Sequence, residues 1–353
     1  MAGAENVAIL RQPPSPVDTQ TYYNKYGVEF VEPTPEQLTG FDQTCDTLLE
    51  KREYLSGLCA DFGITATKRA VLYEPAAFLA VPPTPEQVVA INSLETPNVA
   101  RYSVGVQVEL AKVPIEESGE RMVHLPTAFS EADVPATFST VPFHVACGEW
   151  AGKQREFWTR KGFANRLVIM GKLLGAAGAQ LHFEDAFRPV GVQEGLFQRR
   201  VEWTRRDHSD WDEEQIITEA QSKTAVKPKL ASHKGGAAVD ARIRDNQSGE
   251  LLDFGHNYPD GGALVFPRTP FVTANQWRNR QLFQVAAGLS DLTLYVGEDW
   301  HVSYGDNLAS LDENGKVRPY YVAQYGPIKE FDRTTGAITT TYTDVEADLV
   351  FDY

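Results

Sequence analysis

The stretch from Phe163 to Phe183 constrains the fold of this 353-residue chain more than any other. Phe163, Leu167, Met170, Leu174 and Ala177 recur at three- and four-residue intervals, which places them on one face of a helix, and Gly178 stops the pattern. Gln180 to Phe183 then reads as a short strand. Further helices are predicted over 192–206, 212–223 and 274–287, and strands over 238–243, 251–254, 292–296 and 302–304. A hairpin is expected around Thr334-Thr335-Gly336. Helices and strands mix without a regular strand–helix–strand alternation, so the expected class is α+β: a small mixed or antiparallel sheet flanked by helices.

The N-terminal part reads as an elaboration of that core. Pro13, Pro14 and Pro16 among polar residues predict a mobile arm over 1–20. Between Pro33 and Pro97, helical stretches alternate with prolines, giving a helical extension over 21–100. Within it Thr34-Pro35-Glu36-Gln37 and Thr84-Pro85-Glu86-Gln87 each have the arrangement of a helix start. Val104, Val106, Val108 and Leu110 alternate with other residues, which predicts a half-buried strand over 102–113 at the start of a main domain spanning 101–353.

Charge and composition exclude several functions. A net charge of −15 argues against a general nucleic-acid binder, which needs cations to neutralise phosphates. The most apolar stretch, Leu167–Ala179, is too short for a membrane span and contains Lys172. Cys45, Cys59 and Cys147 form no CxxC pair, so neither a disulfide framework nor a thiolate metal site is indicated. No glycine-rich phosphate loop is present. The first residues have neither a basic segment nor an apolar one of useful length, so a cytoplasmic protein is expected.

Two segments carry chemistry. In Ser232-His233-Lys234-Gly235-Gly236-Ala237-Ala238-Val239-Asp240, a histidine precedes small residues that permit a tight turn, and a carboxylate follows at i+7. In Gly297-Glu298-Asp299-Trp300-His301, a second histidine lies between two strand-like runs, with Glu298 three residues before it. His233, Asp240 and His301 are a three-ligand set suited to Zn²⁺ with a fourth position left for water. Glu298 is then placed to act as general base. His124, His144 and His208 read as packed or surface residues, His182 and His256 as neighbours of the site at most, and Trp277, Phe283, Tyr320 and Tyr321 as core.

These segments resemble the zinc D-alanyl-D-alanine peptidases, above all the D-Ala-D-Ala dipeptidases of vancomycin resistance. That family has the pattern SxHxxGxAxD followed by ExWH. His233, Gly236, Ala238 and Asp240 match the first motif, and Glu298, Trp300 and His301 match the second. Asp185-Ala186-Phe187-Arg188-Pro189 resembles the family's D-A-[YF]-R-P segment, and Leu252-Asp253-Phe254-Gly255 resembles the segment that follows the first motif there. The resemblance implies a zinc site on the sheet, bound by His233, Asp240 and His301. It further implies that Glu298 moves the proton of the attacking water, Arg188 stabilises charge on the scissile carbonyl oxygen, and Asp185 supports the site. The family has serine two residues before the first histidine; here Ala231 holds that position and Ser232 is displaced by one. Ser232 and Lys234 are therefore candidates for gripping the substrate. The implied partner is a small peptide with a D-amino-acid terminus, with neither nucleic acid nor membrane involved. The alternatives are a longer cell-wall stem peptide or tailoring-pathway peptide, and a zinc-containing peptide-binding protein without catalysis.

Overall fold

The computed structural model describes residues 9–12, 25–37, 57, 59–63, 70–73, 77–225, 227–312 and 315–348. At its centre is a five-stranded sheet in the order Thr293–Leu294, His301–Ser303, Ala238–Asp245, Ala179–Asp185, Ala136–Phe138. The first three pairings are antiparallel and the last is parallel, so the sheet is mixed, as expected for an α+β chain. Helices Lys161–Ala176 and Ala274–Leu289 cover one face. Leu167, Met170 and Leu174 of the first and Phe283 and Ala286 of the second join Leu181, Phe183, Val239, Ala241 and Ile243 in one buried cluster. Each large aliphatic or aromatic side chain removed from water there stabilises the fold by roughly 1.5–3 kcal/mol. Because side chains alternate along a strand, burying Val239, Ala241 and Ile243 against the helices turns Asp240 to the opposite face.

Local signals place the remaining elements. Helices Val192–Asp207 and Glu213–Lys223 form where the sequence predicts them, and Ile328–Phe331 pairs with Ile338–Thr341 in the expected hairpin. The two Thr-Pro-Glu-Gln starts both close reciprocal caps, Thr34 with Gln37 and Thr84 with Gln87, and Asp212/Gln215 and Thr273/Gln276 do the same.

Three expectations change. Residues 102–113 do not form a strand: one helix runs from Pro85 to Leu110, through Pro97 and across the boundary expected at 100/101. Buried positions there are Ser103, Val106 and Leu110, a helical spacing, while Val108 faces solvent. The alternation of valines was compatible with either period, and burial chose the helical one. Leu251–Phe254 makes only an isolated bridge from Leu251 to Arg244. Tyr320 is fully exposed, whereas Trp277 and Phe283 are buried. Of the arm expected over 1–20, Ile9–Gln12 form a strand parallel to Ala70–Tyr73; its other residues, and Cys45, lie outside the described residues.

Residues of the N-terminal region pack against the segment that leads into the Ala274–Leu289 helix. Tyr26, Val28, Leu79 and Ile91 cluster with Ala263, Leu264 and Phe271, and Phe78 packs with Val272 and Trp277. Among the described residues, no helix is long and apolar enough to cross a membrane.

Helix Val192–Asp207 approaches the Val145–Trp150 segment so closely that a Cβ on Gly195 would lie 2.1 Å from the Ala146 carbonyl oxygen. The Gly195→Ala protein is therefore expected to lose about 1–3 kcal/mol in urea denaturation. Gly175→Ala, on an open helix surface, is expected to be neutral or to gain up to about 1 kcal/mol.

Candidate active site

The sheet register assembles the site. Asp240 is directly opposite His301 on one neighbouring strand and Asp185 on the other, the latter after a register shift between Phe183 and Asp185. His233 comes from a short turn, Ser232–Gly235, that leads into the Asp240 strand through Gly236. Gly236 has φ +64°, and a Cβ there would meet the Met122 side chain at 2.4 Å, so the turn that delivers His233 requires glycine. The Asp185–Arg188 segment grips this turn at two points: His233 Nδ1 lies 2.7 Å from the Ala186 carbonyl oxygen, and the Arg188 amide donates to the His233 carbonyl at 3.3 Å.

Two imidazoles and a carboxylate converge. Asp240 Oδ1 lies 3.3 Å from His233 Nε2 and 3.0 Å from His301 Nδ1, and all three side chains are buried. The Ala186 carbonyl can only accept, so the His233 proton sits on Nδ1 and its Nε2 presents a lone pair toward Asp240. Donors bound at roughly 2.0–2.1 Å to one tetrahedral ion stand about 3.3 Å apart, so both the spacing and the donor types fit a divalent metal. The facing histidines outweigh burial and hold the Asp240 carboxyl well below the usual carboxylate range.

The other Asp240 oxygen is held from outside. Oδ2 accepts from the Tyr258 hydroxyl at 2.9 Å and from Arg188 Nη2 at 3.3 Å. Arg188 also donates to Asp185 Oδ2 at 3.0 Å and to Gln193 Oε1 at 2.9 Å, and Arg155 Nη1 lies 2.7 Å from the same Asp185 oxygen. Against the effect of burial, the two arginines keep Asp185 ionised below its ordinary range. Burial and the neighbouring carboxylates hold the Tyr258 hydroxyl protonated.

Glu298 flanks the three convergent groups, its Oε2 3.8 Å from His301 Nδ1. Burial and the Asp240 charge push its carboxyl up to about 7, with His301, Arg188 and Arg200 opposing. The turn that carries it is anchored from behind: Asp299 accepts from Arg280 at 3.0 Å and lies 2.8 Å from His256 Nε2, with all three side chains fully buried. Arg280 also donates to the carbonyls of Phe254, Leu264 and Phe266.

Of the residues picked out in the sequence, His233, Asp240, His301, Glu298 and Arg188 come together, and Asp185 stands behind Arg188. Ser232 and Lys234 point elsewhere. Lys234 is fully buried, its Nζ 3.7 Å from Glu194 and 5.3 Å from the Tyr342 ring centre. Tyr258, Arg155 and Gln193 were not legible as site residues. They arrive from loops and a helix end by long-range packing, and no spacing marks them. His256 reaches Asp299, and His182 pairs with Thr137 and Glu184.

Glu298 sets a pH dependence of stability. Its folded-state pKa of about 7 exceeds the ordinary 4.5, so the folded chain binds this proton more tightly than the unfolded one. The stability contributed is present below about pH 4.5 and is lost as pH rises through about 7. With metal removed by chelator, Glu298→Gln is expected to match the wild type at pH 4 and to exceed it by ~1–3 kcal/mol at pH 8 in urea titrations.

Residues 151–320 match the family model described as D-ala-D-ala dipeptidase. No curated protein matches the chain significantly. The matched segment contains every residue of the convergent site, from Asp185 and Arg188 through His233 and Asp240 to Glu298 and His301. With the strand register that brings those residues together, this match makes residues 151–320 similar to the D-ala-D-ala dipeptidase family of peptidases.

Proposed function

We propose that this protein is a zinc-dependent peptidase that hydrolyses a short peptide ending in a D-amino acid, with D-Ala-D-Ala as the first substrate to test. The observation that supports it most is Asp240 Oδ1 between His233 Nε2 and His301 Nδ1, at 3.3 and 3.0 Å, with Glu298 alongside. His233, Asp240 and His301 would hold the ion. Zinc bound there supplies a Lewis acid that brings the pKa of water down to about 7 and polarises the scissile carbonyl.

The chain's own groups do the rest. Glu298, with a pKa near neutrality, takes a proton from the attacking water and returns it to the departing amine. Arg188 uses three of its five N–H hydrogens on Asp185, Gln193 and Asp240. The other two, on a guanidinium held rigidly beside the cleft, are available to a developing oxyanion. Tyr258 fixes one Asp240 oxygen so that the other stays aimed at the histidines.

One observation favours a longer substrate as a second reading. The grip on a terminal carboxylate is missing where the family has it. Ala231 has no hydroxyl, Lys234 is spent on Glu194, and the Ser232 hydroxyl is buried beside Asp306. A stem peptide or pathway peptide held along the cleft does not need that grip.

Purified protein is expected to contain about one zinc per chain and to release amine from D-Ala-D-Ala. Glu298→Ala should keep the metal and lose activity by roughly 10²–10⁴-fold. Zinc without Glu298-dependent turnover of any peptide would overturn the catalytic reading in favour of a binding protein. Comparing the free dipeptide with an acylated pentapeptide separates the two substrates. Turnover of the pentapeptide alone selects the longer one, and amidation of its C-terminus should then cost less than threefold in kcat/KM.

A further inference from the structure

The turn that delivers His233 is gripped a second time, by Arg160. The Arg160 amide donates to the Gly236 carbonyl at 2.8 Å, and its Nε donates to the Gly235 carbonyl at 2.7 Å. Those carbonyls lie two and three residues past His233, and the Gly236 amide closes the turn onto the His233 carbonyl at 3.2 Å. The guanidinium itself is fully buried. Its Nη1 donates to Glu117 Oε1 at 2.8 Å and to the Glu120 carbonyl at 2.9 Å. Its Nη2 donates to Glu117 Oε2 at 3.0 Å and to the Gly326 carbonyl at 3.2 Å. All five side-chain N–H hydrogens are thus used, and the forked pair with Glu117 balances the charge. A buried arginine in that state has one position available, because moving it would leave donors unpaired in the interior. The carbonyls it holds are fixed with it.

Most of what holds Arg160 comes from outside the segment that matches the peptidase family. Glu117 and Glu120 precede residue 151, and Gly326 follows residue 320. These two flanks also pair with each other. The Glu116 amide donates to the Ala323 carbonyl at 2.8 Å, the Ala323 amide to the Pro114 carbonyl at 2.9 Å, and the Ser118 amide to the Gln324 carbonyl at 2.9 Å. Glu117 Oε2 accepts from the Gly326 amide at 2.7 Å as well. The flanks form a clasp closed on Arg160, and Arg160 passes its rigidity to the Gly235–Gly236 backbone.

We propose that Arg160 and Glu117 are positioning residues that set where His233 stands, so that residues 114–120 and 323–326 are part of the metal site's support. This rests on the zinc reading above. The two side chains act through the Gly235 and Gly236 carbonyls, not by contact with the ion, and they make segments outside the family match determinants of metal affinity.

The test uses the full chain, with zinc affinity read by competition against a chromophoric chelator. The visible spectrum of the Co²⁺-loaded protein reports ligand geometry, and hydrogen exchange at the Lys234 and Gly236 amides reports the turn without metal. Arg160→Lys replaces the five-donor fork by a point charge, and Glu117→Gln keeps the side chain's shape but removes its charge. Either is expected to lower zinc affinity about 10-fold, to shift the cobalt bands and to speed exchange at both amides. The double variant should lose no more than about twofold beyond the worse single one, since the pair acts as a unit. Gly171→Ala presses a Cβ onto Val134 and Phe129 and controls for plain destabilisation; it should leave affinity and bands as in the wild type. If Arg160→Lys does not fold, Glu117→Gln, at a half-exposed carboxylate, decides alone. Zinc affinity within about twofold of wild type in Glu117→Gln, unchanged exchange at the two amides, or an equal loss in Gly171→Ala overturns the proposal and leaves the zinc reading intact. A wild type that binds no zinc overturns the zinc reading itself, and this proposal with it.

Discussion

A carboxylate buried in the middle of a sheet must be surrounded by positive or proton-donating groups, or it will not stay ionised. Asp240 is in that position, and the architecture of the site follows from meeting its needs. The two histidines face one oxygen, while Tyr258 and Arg188 hold the other. Because Arg188 brings a further buried charge, Asp185 and Arg155 follow it. Each group solves the desolvation problem of the one before it, and the chain of charges runs from Asp240 at the sheet centre to Arg155. Removing one partner from such a chain typically costs about 3–5 kcal/mol, because the charge left behind is unpaired.

A second buried charge system fixes the other half of the site. Arg280 binds Asp299 and three backbone carbonyls at once, and His256 closes the far side of Asp299. Since Asp299 lies between Glu298 and His301, this brace fixes where those two side chains stand. The carbonyls that Arg280 gathers include Leu264, whose side chain packs against Tyr26, Val28 and Ile91. The N-terminal region is thereby in mechanical contact, through two layers, with the turn that bears Glu298.

The site was legible in the sequence where its residues are of rare type and lie close together in the chain. Histidine is scarce, and His233 with Asp240, and Glu298 with His301, each fit within one turn and one strand. The helices around them could be read from caps and apolar spacing. Groups that reach the site from afar were not legible. Tyr258 and Arg155 sit in unpatterned stretches and Gln193 at a helix start, and tertiary packing alone brings them to Asp240, Asp185 and Arg188. Lys234 misled in the opposite direction. A lysine just past the first histidine reads as a candidate for gripping the substrate, yet Lys234 is folded inward beside Glu194. The valines at 104, 106 and 108 fit two periods equally well, and only the burial of Val106 and Leu110 against Leu308 and Leu311 decides between them.

The Pro85–Leu110 helix has a consequence for how such a chain can have been put together. It starts among residues that read as an appendage and ends among those that build the main body, with no seam at the place where one region would be expected to give way to the other. Joining two ancestral genes at that point would cut the helix in two, parting Ile91, which packs on Leu264, from Val106 and Leu110, which pack on Leu308 and Leu311. The extension is thus not a cassette that can be traded between proteins. Changes in its sequence are answerable to the same packing as the main body, and the two are bound to vary together.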